Sequence, residues 1–235
     1  MPSTEEELKQ TAMKFYQIAR FPRAIGAVDC THVPMKSPGG ENAEIYRNRK
    51  GYFSINTQAI CSADLLFTDV VARWHGSAYD SLIWDNSNQR RHFLHRKYGN
   101  YCLLGDSGYA QTAFKMIPLE NVTSPMQSLY NESQIRTRNV IERTFGIWKR
   151  RFPIVSRGIQ VNLSRIPGII VATCLLHNIA RLQNDLEPPV HPDYPPILDN
   201  TADEIAVLPN NRSGPNTAGH NARQVLIEQH FGRLG

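Results

Sequence analysis

Four acidic residues stand where the chain leaves apolar runs or opens helices: Asp29, Asp80, Asp106 and Glu142. Asp29 closes the run Ala24-Ile25-Gly26-Ala27-Val28, which reads as a buried strand. On strict alternation it shares a face with Ala27 and Ile25. Asp106 lies in Leu103-Leu104-Gly105-Asp106-Ser107-Gly108-Tyr109, where the flanking glycines permit a tight turn and close approach of another group. Asp80 follows Gly76-Ser77; Ser77 reads as a helix N-cap and Asp80 as its third residue, so capping accounts for this acid as readily as chemistry does. Glu142 lies in the stretch Arg138–Lys149, read as one amphipathic helix. Ile141, Phe145, Trp148 and Phe152 form its buried stripe. Glu142 is on the edge of that stripe, with Arg138 and Lys149 stacked near it. A carboxylate there is costly unless an arginine or a metal ion pairs with it.

Brought into one cleft, Asp29, Asp80, Asp106 and Glu142 suit metal-assisted phosphodiester cleavage. Two cations about 3.5–4 Å apart activate the attacking oxygen and stabilise the leaving one. Hard cations such as Mg²⁺ or Mn²⁺ take carboxylate oxygens, and the repulsion among clustered anions is tolerable only with the cations present. Arg138 and Lys149, beside the acids, are candidates for DNA phosphate contacts. Taken singly, each Asp is as well explained as a turn or cap residue; their common placement at element ends gives the metal reading its weight. No GxSxG motif or phosphate-binding glycine loop supports an unrelated hydrolase.

The elements that must position these acids alternate in type. A capped helix starts at Thr4, with Glu7 placed for a capping box. The Asp29 strand follows, then a polar loop with the basic cluster Arg47-Asn48-Arg49-Lys50. Two strands, Tyr52–Cys61 and Leu65–Trp74, pair as a hairpin, and a helix runs from Ser77 to about His95. The Asp106 strand, a short edge strand at Met116-Ile117-Pro118, a loop over Asn121–Asn131 and the Glu142 helix come next. Ser164–Leu182 is apolar nearly all round and reads as a buried helix, with His177 a core histidine. The order predicts an α/β fold with a mixed central sheet flanked by helices. In 235 residues with a formal net charge of +5, the composition is that of an ordinary globular protein and permits a polyanionic partner without requiring one. Four isolated cysteines exclude a disulfide framework or zinc ribbon and suit a reducing intracellular compartment.

At these same residues the chain resembles the Harbinger superfamily of transposases and their host-derived proteins. The matching stretches are Gly26 to His32, Gly76-Ser77 with Asp80, Gly105 to Tyr109, Arg138 to Gly146, and Leu176-His177-Asn178. The resemblance implies a ribonuclease-H-like fold with a DDE core in which Asp29, Asp106 and Glu142 are catalytic and Asp80 is a further metal contact. It implies a divalent cation, Mg²⁺ or Mn²⁺, and DNA as substrate. About twenty residues precede the core, where family members usually carry a helix-turn-helix-like region. A separate Myb-like protein supplying DNA binding and nuclear import is therefore an expected partner, and the nucleus, with the cytoplasm, the expected location. The expected organisation is a short helix over 1–20, the endonuclease domain over 21–182, and a mostly disordered tail over 183–235 with a terminal helix at Ala222–Phe231. A homo-oligomer is compatible with the sequence. The alternative function is a catalytically silent, transposase-derived DNA- or protein-binding module.

Overall fold

The computed structural model describes residues 1–190 and 217–233. Its centre is a five-stranded sheet: β1 Ala24–Pro34, β2 Ser54–Cys61, β3 Phe67–His75, β4 Cys102–Leu104 and β5 Lys115–Met116. The strand order is β3-β2-β1-β4-β5. β2 runs antiparallel to both β1 and β3, whereas β4 is parallel to β1 and β5 to β4. This is the expected mixed α/β, ribonuclease-H-like sheet.

Helices cover both faces. α1 (Glu5–Ala19) begins with the expected capping box: Thr4 Oγ1 accepts from the Glu7 amide, and Glu7 Oε2 accepts from the Thr4 amide. It packs on β1 and on α4 (Pro125–Arg138). α2 (Asp80–Asp85) and α3 (Asn88–Leu94) place Trp84 and Phe93 over Ile25, Val28, Ile60 and Leu103. The opposite face receives α5 (Val140–Arg151), the short α6 (Ile154–Arg157) and α7 (Ile166–Leu182). There Phe67 meets the rings of Phe145, Trp148 and His177 at 6.1, 5.5 and 5.2 Å. α8 (Thr217–His230) buries Leu226 and Ile227, and the Phe231 ring just beyond it packs tilted against Phe21 and edge-on to Tyr130. A terminal helix is thus present and docked; of the expected disordered tail, residues 183–190 are described and are bonded by Arg143, Arg150, Arg151 and Arg181, while residues 191–216 and 234–235 lie outside the described residues.

Several sequence expectations are corrected. The span from Arg138 to Lys149 is not one helix: Arg138 ends α4, Asn139 is the link, and α5 starts at Val140. Much of the expected loop at Asn121–Asn131 belongs to α4. Ser77 caps nothing, because its hydroxyl is bound to His75 Nδ1 at 2.9 Å. Asp80 is then the first residue of α2 and not the third, and the helix breaks before Ser87, which caps α3. α7 is not buried all round: Leu175, Ile179 and Leu182 are each at least half exposed.

Candidate active site

Parallel pairing of β1 and β4 sets the first two acids side by side. Ala27 is the register partner of Leu104, so Asp29 and Asp106, each two residues further on, stand level just past the last residues that pair β1 with β4; Asp29 does not end its strand as expected, because β1 runs on to Pro34 paired with β2, whereas Asp106 lies beyond the end of β4. Asp29 points to the α5 face with Ala27, but Ile25 does not: the register shifts between Ala24 and Gly26, and Ile25 packs under α2 and α3 instead. Asp29 is buried at 6% exposure, Asp106 is half-buried, and Gly108 donates its amide to Asp106 Oδ1 at 3.1 Å. Gln134 of α4 is fully buried; its Nε2 donates to the Gly105 and Met116 carbonyls at 2.8 and 3.1 Å and fixes the turn carrying Asp106.

Asp80 arrives from the other face. Gly76 makes the approach possible: a Cβ there would run into the Tyr46 carbonyl oxygen and lie 2.5 Å from Ser54 Oγ. Asn56 of β2 donates its Nδ2 to Asp80 Oδ1 and to the Ala78 carbonyl, both at 2.9 Å. Its own Oδ1 is buried without a partner.

Glu142 approaches from α5 and is largely exposed, its side chain at 52%. It meets Asp29 through Arg138, whose Nη1 donates to Asp29 Oδ2 at 3.1 Å and whose Nη2 donates to Glu142 Oε1 at 2.5 Å. Arg138 is therefore turned into the acid cluster, its side chain only 13% exposed. Lys149, also expected near phosphates, is buried at 9% exposure.

The electrostatics follow from this crowding. Burial pushes the Asp29 carboxyl well above its usual range; Asp106 and Asp80 repel it further, and Arg138 opposes the rise. Burial likewise raises Asp80 against its Asn56 bond, and Asp106 against the pull of Arg138 and the Gly108 amide. Burial works against the charge on Arg138, but Asp29, Glu142 and Asp106 outweigh it and push its pKa up.

Further groups that the sequence pattern does not single out line the site. Lys115 is 1% exposed, its ammonium between the Trp84 and Tyr109 rings at 4.5 and 4.4 Å. Burial brings its pKa down to about 7 despite the attraction of Asp85 and Asp106. The Tyr109 hydroxyl lies 3.4 Å from Cys30 Sγ, next in sequence to Asp29. At the rim, the Arg49 guanidinium lies 4.8 Å over the ring of exposed Tyr79, beside Asp80. Arg47 of the same basic loop is held by Glu44 and the Gly51 carbonyl.

In kind, the donors suit a hard, oxygen-seeking cation: the raised carboxyls of Asp29, Asp80 and Asp106 and an orphaned amide oxygen next to Asp80. Among the described residues, however, no three His, Cys, Asp or Glu side chains stand together closely enough to hold a metal ion. Arg138 lies between Asp29 and Glu142, where such a group would have to close.

A sheet of this order, with one acid within the central strand β1, another just beyond the end of parallel β4 and a third on a later helix, is that of a ribonuclease-H-like domain of nuclease type. Residues 28–178, which hold all four acids, match the family described as DDE superfamily endonuclease. The chain belongs to that family, among the proteins derived from Harbinger transposases. It is 34% identical over 182 residues to the Bos taurus protein named "Putative nuclease HARBI1", an alignment covering 76% of this chain and 52% of that protein. The Homo sapiens protein of the same name is 33% identical over the same shares, and the Arabidopsis thaliana "Protein ALP1-like" is 28% identical over 76% of this chain and 47% of its own. The chain thus spans about half the length of the curated relatives it matches. No solved structure matches it.

Proposed function

We propose that the chain is a divalent-metal-dependent nuclease that cleaves DNA phosphodiester bonds. Asp29, Asp106 and Glu142 are its catalytic acids and Asp80 a further metal contact. The observation that carries this is that the β1–β4 register sets Asp29, within β1, level with Asp106, just beyond the end of β4, both with carboxyls raised by burial. Two buried anions of this kind favour a cation between them. Mg²⁺ or Mn²⁺ bound there would activate the attacking oxygen and stabilise the leaving one. The chain's own part is positioning. The Gln134 bonds hold the Asp106 turn, Asn56 holds Asp80, and Gly76 lets α2 start close to β2. Arg49 at the rim offers a cation to a backbone phosphate, a contact that gives salt-dependent and sequence-indifferent affinity. Choice of DNA sequence falls to a separate Myb-like protein, and the place of action is the nucleus, with the cytoplasm as a second location.

The test is strand cleavage of duplex DNA with Mg²⁺ or Mn²⁺, in wild type and Asp106→Asn, each checked for fold by circular dichroism. Cleavage by the wild type alone supports the proposal; equal cleavage by both proteins removes it. The competing reading is a binding module without catalysis. One observation favours it: Arg138 already neutralises part of the acid cluster. Melting that is indifferent to Mn²⁺ would decide for that reading.

A further inference from the structure

The most unusual side chain in the site is a cation. Arg138 is the last residue of α4, one residue before the Asn139 link to α5. Its guanidinium reaches one acid 109 positions away and another one helical turn ahead. Both contacts are charge-assisted and the side chain is largely withdrawn from solvent. The remaining Asp29 oxygen, Oδ1, accepts from the Cys30 amide at 2.8 Å. Each oxygen of Asp29 thus already has a donor, and one donor belongs to a full positive charge.

A divalent ion ligated by Asp29 and Glu142 needs these same oxygens. With the guanidinium in place, the ion would meet a like charge within a few ångströms, in a setting where burial weakens screening. The two cations therefore compete for one pair of carboxylates. Arg138 also stabilises the folded chain. Without it, Asp29 would be a buried anion facing Asp106 and Asp80 with only an amide for company.

We propose that Arg138 is the resident cation of the acid cluster. It holds Asp29 and Glu142 together until a divalent ion arrives, and it must swing off them for the ion to be ligated. The inference rests on the metal reading of the site given above. It makes Arg138 a positioning residue that lowers metal affinity while stabilising the fold, and it replaces the expected role in phosphate contact.

The test uses the full chain and Mn²⁺ itself, by isothermal titration calorimetry, together with melting in EDTA. Arg138→Gln should bind Mn²⁺ roughly ten-fold more tightly than wild type, in the range of ordinary couplings between competing sites. In EDTA it should melt lower. Should Arg138→Gln fail to fold, Arg138→Lys keeps the charge but cannot span both carboxylates, and should show the same gain in affinity. Mn²⁺ binding by a variant where wild type shows none would be the strongest form of the expected result. Wild-type affinity, or weaker, in a folded variant overturns the inference and leaves the metal reading intact, because wild type still binds. Absence of Mn²⁺ binding in wild type and both variants removes the metal reading and this inference together.

Discussion

Asp106→Asn probes the acid cluster with opposite signs in chelator and in metal. The Asp106 carboxyl is raised by burial, against the attraction of Arg138, the Gly108 amide and Lys115. An acid whose pKa is higher in the folded than in the unfolded chain binds more protons when folded. Its contribution to stability therefore falls as pH rises from its ordinary 3.8 through the raised value, and the deficit is complete above that window. Asp29 and Asp80 are shifted in the same direction. The amide keeps the shape of the side chain and an oxygen for the Gly108 N–H, but carries no charge. In EDTA near neutral pH, Asp106→Asn should accordingly melt above wild type, and its midpoint should fall less as pH is raised. Mn²⁺ should reverse the order. An ion at a hundred times its dissociation constant stabilises by about 2.7 kcal/mol. For a chain of this size each kcal/mol moves the midpoint by about 2–4 °C, so wild type should gain roughly 5–11 °C. The variant, with a neutral and weaker ligand, should lose most of that gain. Scanning fluorimetry of both proteins across pH, with EDTA or Mn²⁺, reads all of this in one plate. A folded variant that melts below wild type in EDTA, or that keeps the full Mn²⁺ gain, refutes the reasoning.

Two structural substitutions test the supports of the site. Gly76→Ala would force a Cβ into the Tyr46 carbonyl and Ser54, and should cost about 1–3 kcal/mol in urea unfolding, with weaker Mn²⁺ binding as α2 and Asp80 are displaced. A change within experimental error would mean that this crossing is slack. Asn178→Ala removes two bonds, both 2.8 Å, from the Asn178 amide group to the Phe67 N–H and carbonyl. At about 0.5–1.5 kcal/mol each, the loss should be roughly 1–3 kcal/mol, with the metal response unchanged. An altered Mn²⁺ affinity would show that the Leu176-His177-Asn178 motif reaches the site and does more than clamp the start of β3.

The parts of this fold legible in the sequence are those where one local rule decides the outcome. The capping box of α1, the hairpin of β2 with β3 and the apolar run of β4 that ends before Asp106 emerge as read, whereas β1 runs past Asp29 to Pro34 because β2 pairs with it along that length. The misreadings come from contacts distant in sequence or from competing local bonds. α4 carries no apolar stripe; its buried residues include Ser133, Gln134 and Thr137, and the Ser133 hydroxyl and Gln134 Nε2 donate to the carbonyls of Ala19, Gly105 and Met116. Nothing in the local pattern announces such a helix. Ser77 looks like a cap until His75 takes its hydroxyl. Composition shows that α7 is apolar but not which of its sides finds a partner. The site was legible as four acids, whereas Asn56, Lys115 and the inward turn of Arg138 depend on the sheet register and on the break at Asn139, which spacing alone does not encode.

The contrast among the acids of this chain argues for function at one end of the sheet. Acids with a structural role have their own partners: Asp64 pairs with Lys14, Asp85 with Arg90, and Asp69 accepts from Gln89. Asp29, Asp80 and Asp106 also have donors, in Arg138, Asn56 and the Gly108 amide, but in addition they repel one another through a largely buried setting. Among the described residues, the only guanidinium bonded to any of the three is Arg138 on Asp29. A fold with no use for cations would be more stable with amides or apolar groups at these positions, because burying charge costs more than such partial pairing returns. The mutual repulsion of these acids gathers beside the carboxyl end of β4, and open α/β sheets form their binding crevices at the carboxyl ends of parallel strands. A local rule broken at that place, while the capping, register and core packing of the rest agree with one another, is what a functional site looks like in physical terms.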